Sequence, residues 1–126
     1  MSAWTRAELE RIGRAEEIDV APVRSDGALG NFVTVWVVRH ADDLYVRSAV
    51  RGRAAVWFRG VDEMHQGRVR VGRTEKEVDF VDADHGLDDP IDKAYRAKYG
   101  KYGPRILNSC LTPEARSTTL RLVPRA

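Results

Sequence analysis

One stretch of the sequence constrains the fold more than any other: the ten residues from Asn31 to His40, which are rich in β-branched and aromatic side chains. Such residues favour strands over helices. Both faces of this segment are apolar over most of its length, so we predict a central strand that is covered on both sides. Asp42 and Asp43 supply a tight turn, and Leu44 to Ser48 then pairs back as the second strand of a hairpin.

The rest of the chain adds four more predicted strands and several helices. Apolar alternation and turn residues predict six strands in all: 16–23, 31–40, 44–48, 68–71, 77–82 and 118–123. Helical spacing predicts helices over 6–15, 54–66 and 89–99. Successive hairpins in so short a chain favour a small antiparallel barrel with peripheral helices. A length of 126 residues fits one domain, 1–126.

Helix starts are marked by capping residues. Thr5 and Glu8 have the spacing of a capping box, with Trp4 placed as a hydrophobic staple. Asp89 followed by Pro90 is predicted to cap the third helix, and Thr112 caps a brief turn near the end of the chain.

Composition excludes several classes of protein. The single cysteine, Cys110, allows no intramolecular disulfide and no cysteine cluster for zinc. The three histidines show no ligand spacing, so we expect no metal site. No apolar run approaches the roughly 20 residues that cross a bilayer. The start of the chain also lacks a secretory signal, and we expect a cytoplasmic protein without membrane contact.

Charge is unevenly distributed along the chain. Seven arginines and two acids lie between Leu44 and Arg73, whereas eight acids and one lysine lie between Glu75 and Asp92. Arginine forks bind phosphate and carboxylate groups better than lysine does. The loop after the second strand of the first hairpin holds the clearest cluster. It predicts an anion site at Arg47, Ser48, Arg51 and Arg53, with a solvated, arginine-rich loop as the alternative.

Aromatic residues near this loop fit a flat ligand. Trp57 follows the arginine loop and is a candidate ring contact, although it also lies on the apolar stripe of its predicted helix. A second group of tyrosines and basic residues runs from Tyr95 to Arg105. It predicts either a pocket wall or dimer contact, or a helix end packed on the barrel. No residue is singled out as catalytic.

The order of these segments resembles the FMN-binding split-barrel superfamily, which includes pyridoxamine-phosphate-oxidase-like proteins and deazaflavin-dependent nitroreductases. The resemblance runs through residues 32–38, 43–48, 57–60 and 67–71. A closer resemblance is to an uncharacterised family of short bacterial proteins, and it rests on Trp4-Thr5, the strand end Tyr45-Val46-Arg47-Ser48 and the segment 98–105. The resemblance to the split barrels implies a fold that is mainly β with peripheral helices, a six-stranded antiparallel split β-barrel.

This resemblance implies a cofactor, FMN or a deazaflavin, and an oxidoreductase-like activity on a small molecule. Arg47, Ser48, Arg51 and Arg53 would hold its phosphate, and Trp57 would flank its ring. Arg59 or Arg68 would stabilise the reduced, anionic ring. Split barrels usually dimerise with the cofactor between subunits, so we also expect a homodimer.

Two alternatives are non-catalytic. A small barrel with a basic face and exposed aromatic rings can bind single-stranded nucleic acid. A net charge of only +2 and the acidic segment after Glu75 make such a partner a weaker prediction. A split barrel without cofactor, working as a sensor or structural dimer, is the other alternative.

Overall fold

The protein is described here by a computed structural model that covers residues 4–125. Of the predicted domain 1–126, residues 1–3 and 126 lie outside the described part. Seven strands are present: β1 (Ile18–Pro22), β2 (Val33–Val35), β3 (Val37–His40), β4 (Asp43–Val46), β5 (Gln66–Val71), β6 (Thr74–Asp82) and β7 (Leu120–Pro124). The five helices are α1 (Arg6–Arg14), α2 (Val56–Met64), α3 (Asp88–Tyr99), α4 (Pro104–Asn108) and α5 (Pro113–Ser117).

The strands form a nearly closed antiparallel barrel. Their order is β2-β1-β5-β6-β7-β4-β3, and every neighbouring pair is antiparallel. The two strands at the ends of this order, β2 and β3, follow each other in the chain with only Trp36 between them. The barrel therefore has seven strands, and the predicted number of six is wrong. The segment 31–40 is not one central strand but two strands that meet where the barrel is split.

A tyrosine explains why this strand divides. The register of β1 with β2 pairs Ile18 with Val35, so continued pairing would bring Glu16 opposite Val37. Instead, the Tyr99 hydroxyl lies between them: it donates to the carbonyl oxygen of Glu16 at 2.7 Å and accepts from the Val37 amide at 3.1 Å. One side-chain hydroxyl thus replaces a rung of the ladder and satisfies backbone groups that the split would otherwise leave unpaired.

Two apolar clusters hold the fold together. The first fills the barrel and is closed by α1 and α2; its fully buried members include Ile12, Val20, Val61, Phe80 and Leu122. The second lies outside the barrel, where α3 covers the outer face of the β3–β4 hairpin and Leu107 of α4 joins the cluster. Alternation along β3 and β4 explains both clusters: Val37 and Leu44 point inward, whereas Val38 and Tyr45 point outward. This outer cluster carries the predicted tyrosine segment.

Helix starts agree with the sequence in two cases and differ in one. The capping box of Thr5 and Glu8 is present, and Thr112 accepts from the Ala115 amide at 3.0 Å. Asp89, however, does not cap α3. That helix begins one residue earlier, directly after a 3-10 turn that Asp84 starts by accepting from the Gly86 amide at 3.0 Å. This 3-10 turn continues directly into α3, so the capping side chain is that of Asp84, four residues before Asp88.

The predicted helix 54–66 is also shorter than expected. Helix α2 covers Val56–Met64 and ends at His65, which adopts a left-handed conformation with φ of 57°. This left-handed residue turns the chain sharply, and β5 begins at the next residue, Gln66.

The uneven charge of the sequence is neutralised across the sheet. Arg68 on β5 contacts Glu75 and Glu77 on β6 at 3.0 and 3.1 Å. Arg70 contacts Asp19 at 3.2 Å. The basic and acidic segments are neighbouring strands, so their charges pair and leave no long basic track on this face.

Among residues 4–125, no helix is long and apolar enough to cross a membrane. The same part of the chain contains no cluster of side chains that could hold a metal ion.

Candidate functional site

A cavity of about 450 Å³ lies beside the split in the barrel. Its wall is built from the split itself, the end of β4 with the loop that follows, the first turn of α2, and one face each of α3 and α4. The residues that line it are Glu17, Thr34, Val35, Trp36, Arg47, Ser48, Ala49, Val50, Arg51, Ala55, Trp57, Tyr95, Ile106, Ser109 and Cys110. Cavities of this size are typical of small-molecule sites.

Two tryptophans, Trp36 and Trp57, line the cavity. Trp57 is buried at the start of α2 and packs edge-on against Phe58. Trp36 stacks in parallel on Tyr99 with ring centroids 3.9 Å apart, and Tyr102 packs behind at 5.5 Å. The predicted tyrosine segment therefore packs on the barrel and also supports this wall. Stacked rings of this kind hold their orientation and suit a planar ligand.

Arg47 lies behind the cavity, with its guanidinium engaged by the protein. The side chain is fully buried and contacts Asp92 at 2.5 Å. It also donates to the Thr119 hydroxyl at 2.9 Å and to the carbonyl oxygen of Cys110 at 2.8 Å. A fourth, longer contact of 3.4 Å reaches the Asp88 carbonyl. Four of its five N–H groups are thus used internally, which leaves little capacity for a phosphate.

Asp92 is a buried carboxylate shared by two arginines. Arg116 binds its second oxygen, while Arg47 binds the first. Burial opposes ionisation, but the hydrogen bonds from Arg116 and Arg47 outweigh it and hold the pKa of the Asp92 carboxyl below its ordinary value. The three side chains connect the end of β4, α3 and α5.

Ser48 and Arg51 are the predicted residues that reach the cavity with polar groups available. Ser48 is fixed by its amide, which donates to the Thr118 hydroxyl at 2.9 Å. Arg51 is exposed at the rim, and its side chain makes no ion pair within residues 4–125. Gly52 follows with φ of 52°, and a Cβ there would collide with Glu114 at 2.5 Å. Glycine is therefore needed for the loop to fold back and present Arg51.

The other predicted residues lie elsewhere. Arg53 donates to the carbonyl oxygen of Ser117 at 3.0 Å and covers the Phe58 ring. Arg59 lines a second depression of about 540 Å³ that is formed by residues of α2 alone. Arg68 is held by its two glutamates on the outer face of the sheet. The structure thus brings Arg47, Ser48, Arg51 and Trp57 together, and separates the remaining three from the cavity.

Sequence reasoning missed part of the cavity wall. In the sequence Cys110 is only a cysteine without a disulfide partner; in the structure it is buried on the wall, and burial raises the pKa of its thiol. Tyr95 was one member of the tyrosine segment, yet it alone of that segment's tyrosines lines the cavity. Asp92 was one of many acids in its segment. No local signal identifies it as the partner of Arg47, because the two are 45 residues apart in sequence.

Fold and site together define a split β-barrel protein with one aromatic-walled cavity beside the split. Residues 8–122 match the family described as "Uncharacterized protein conserved in bacteria (DUF2255)". The chain belongs to this family, which confirms the resemblance to short bacterial proteins near the FMN-binding split barrels.

Several solved structures share the fold at low sequence identity. A structure described as an F420 reductase is 17% identical, has a TM-score of 0.55, and is matched over 98% of this chain and 97% of its own. An FMN-binding protein from Syntrophomonas wolfei subsp. wolfei is 15% identical, with a TM-score of 0.54 over 93% and 82%. HutZ, the heme storage protein from Vibrio cholerae, is 12% identical, with a TM-score of 0.64 over 96% and 90%. At these identities the likeness shows the fold alone.

No curated protein is significantly similar to the chain in sequence.

Proposed function

We propose that the protein binds a flavin-type cofactor, FMN or a deazaflavin, in the cavity beside the split. The observation that carries this proposal is that two tryptophans, Trp36 and Trp57, line the same cavity as an exposed arginine, Arg51. A flavin nucleotide needs both: a slot for its rings and a cation for its phosphate. Structures that share the fold include an F420 reductase and an FMN-binding protein, which supports a cofactor of this class.

The residues present fit such a group. The cavity is mostly apolar, as ring systems require, and its polar side chains include Ser48 and Arg51. Trp57 and Trp36 would flank the ring, while Ser48 and Arg51 would bind the phosphate. Arg47 keeps the loop in place through Asp92 rather than binding the anion with its whole guanidinium. We leave Arg53, Arg59 and Arg68 out of the proposed site, since none of them lines the cavity.

When bound, a flavin or deazaflavin supplies hydride transfer to or from a small substrate. The protein's own contribution would be orientation and the exclusion of water. Aromatic walls fix the plane of the ring, and the buried network of Arg47 and Asp92 keeps the wall rigid. The proposed activity is therefore that of a reductase or oxidase in the cytoplasm, acting on a small acceptor.

A second copy of the chain would complete the site. Two aliphatic side chains that line the cavity are exposed, Val50 at 87% and Ile106 at 53%, and Val56, at 80%, lies on the neighbouring depression of α2. Exposed apolar side chains that adjoin one another commonly mark an interface. We propose a homodimer that covers them. Its mass in solution should be twice the 14.2 kDa of one chain, and a mass of one chain at micromolar concentration would contradict the dimer.

The cofactor proposal is tested by titration. Purified protein is added to FMN and, separately, to F420, and quenching of their fluorescence is followed. Saturable binding is expected for at least one of them. Replacement of Arg51 by alanine should weaken binding about tenfold or more, because a hydrogen bond to a charged group contributes about 1.5–3 kcal/mol.

Arg73 provides a matched control. It is an exposed arginine in the turn between β5 and β6 and does not line the cavity. Arg73→Ala makes the same change in net charge, so it should bind the cofactor as the parent protein does. Equal loss in both variants would indicate nonspecific attraction, and absence of binding to either cofactor by the parent protein would overturn the proposal.

The nucleic-acid alternative is not favoured by the charge arrangement. Arginines on β5 are paired with acids on β6 and β1, so a strand of phosphates would meet a mixed surface. Binding through phosphates requires unpaired cations along a groove.

A further inference from the structure

One buried polar atom in the described structure lacks a partner. Within residues 4–125, the hydroxyl of Tyr95 is the sole buried side-chain oxygen or nitrogen that forms no hydrogen bond. Tyr95 itself has no exposed surface. Buried side-chain hydroxyls in native proteins nearly always have a hydrogen-bond partner, so an unpaired one needs an explanation.

The position of Tyr95 suggests where a partner would come from. The residue lies on α3, one turn after Asp92, and forms part of the cavity wall. Its ring packs beneath the guanidinium of Arg47, whose central carbon is 5.3 Å from the ring centroid. The ring also contacts Tyr99, with centroids 6.0 Å apart. These contacts and the complete burial of the side chain hold the tyrosine in place at the edge of the cavity.

Neighbouring polar groups are already engaged with one another. Asp92 accepts from Arg47 and Arg116, and the Tyr99 hydroxyl bonds at the split of the barrel. Cys110 and the backbone amide of Arg47 also lie near the Tyr95 hydroxyl. The amide is itself a donor, so the hydroxyl proton still lacks an acceptor among the described residues, and the cavity that Tyr95 lines is an adjoining space from which a ligand can supply one.

We propose that the Tyr95 hydroxyl donates a hydrogen bond to an acceptor atom on the ligand of this cavity and so selects the ligand's orientation. This inference rests on the proposed function, since it adds a specific contact to the same site. A ring with a carbonyl oxygen or an unprotonated nitrogen on its edge provides the acceptor. Flavin and deazaflavin rings carry carbonyl oxygens along one edge, whereas an all-carbon aromatic ring offers none.

The chemistry of the phenol agrees with a donor role. Burial raises the pKa of Tyr95 far above its ordinary value, so the hydroxyl keeps its proton at neutral pH. A protonated phenol can therefore donate its hydrogen to an acceptor atom on the ligand.

Tyr95→Phe tests the inference, with Tyr102→Phe as the matched control. Tyr102 is 43% exposed, and its hydroxyl bonds to Glu16 outside the cavity. In a fluorescence titration with FMN and with F420, Tyr95→Phe should bind about tenfold more weakly, while Tyr102→Phe binds as the parent protein does. Without cofactor, Tyr95→Phe should unfold in urea at the same or a higher midpoint, because it removes an unpaired buried group.

Three outcomes separate the two proposals. Equal affinity of Tyr95→Phe and the parent protein would overturn the Tyr95 contact and leave the cofactor proposal standing; a water molecule would then satisfy the hydroxyl. A lower urea midpoint of cofactor-free Tyr95→Phe would also overturn the contact, because it would reveal a partner within the protein. No binding by the parent protein would overturn the proposed function, and the Tyr95 contact with it.

Discussion

Arg47 is the residue whose role the structure changes most. As a sequence feature it is an arginine at a strand end, next to a serine and a glycine-containing loop. In the structure it is an internal cation balanced by Asp92 at 2.5 Å, with its remaining donors bound to backbone and hydroxyl oxygens. A buried ion pair adds little net stability, but breaking one is costly because the remaining charge is left uncompensated.

This leads to a prediction for Asp92→Asn. The variant leaves the Arg47 guanidinium buried without its counter-charge, so we expect the free energy of unfolding to fall by about 3–5 kcal/mol in urea titrations. Asp79→Asn is the control, since Asp79 is a half-exposed partner of Arg125 at 3.6 Å. It should cost at most about 1 kcal/mol. A similar, small loss in both variants would contradict the account of Arg47.

The stability of the protein at low pH should depend on the same ion pair between Asp92 and Arg47. The pKa of Asp92 is lowered in the folded protein, so its stabilising contribution is present above the unfolded pKa of about 3.9 and is lost as pH falls through the folded value. Below about pH 4 the parent protein should lose stability more steeply than Asp92→Asn. Parallel curves of unfolding free energy against pH would show that Asp92 does not titrate as described.

Single residues were predictable where the signal is local. The capping box at Thr5 involves neighbours three residues apart, and the structure confirms it. The partner of Arg47 lies 45 residues away and is one of eight acids in its segment, so no spacing rule could select it. The orphan hydroxyl of Tyr95 depends on three-dimensional packing in the same way.

At the scale of elements, the split is the feature that shapes the site. Strands β2 and β3 would be one strand if Val37 paired with Glu16, and the Tyr99 hydroxyl takes that position instead. Lys98 supports the same place by donating to the Val37 carbonyl oxygen at 2.6 Å. Burial lowers the pKa of Lys98 to about 8. Trp36, freed from the ladder, stacks on the Tyr99 ring and becomes a wall of the cavity.

Tyr99→Phe should therefore weaken the split. The variant removes the hydroxyl and leaves the Glu16 carbonyl and the Val37 amide without this partner, at an expected cost of about 1–3 kcal/mol in unfolding free energy. Hydrogen exchange of the Val37 amide should accelerate in the same variant. Tyr102→Phe is again the control, because its hydroxyl bonds to a side chain and not to the ladder. Unchanged exchange at Val37 would contradict the proposed role of Tyr99.

Elements were largely predictable, and their long-range arrangement was not. Period-two alternation located the strands, and their β5–β6 pairing around Gly72 followed from turn chemistry. The apolar run 31–40 suggested one strand with two covered faces. Nothing within the run indicates a break, because its cause, Tyr99, lies more than sixty residues away on α3.

On the scale of the whole molecule, segments of opposite charge that are separate in the sequence lie side by side in the fold. Arginine-rich and acid-rich segments become neighbouring strands, which pair their charges on the outer face. Arg51 stays unpaired within the described residues, at the rim of the cavity. Two exposed aliphatic residues, Val50 and Ile106, line the same cavity. A ligand and a second subunit are thus expected at the same place, and the rest of the described surface shows no comparable concentration.

The central claim is that this cavity binds a flavin-type cofactor, and backbone amide shifts measured by NMR test it most directly. Nitrogen-15-labelled protein is titrated with FMN or F420 to saturation. The account predicts shifts concentrated in residues 47–57 and 106–110 and at Tyr95, with the β5–β6 turn around Arg73 unchanged. Shifts centred on Arg68 and the outer face of the sheet, or no shifts with either cofactor at millimolar concentration, would contradict it.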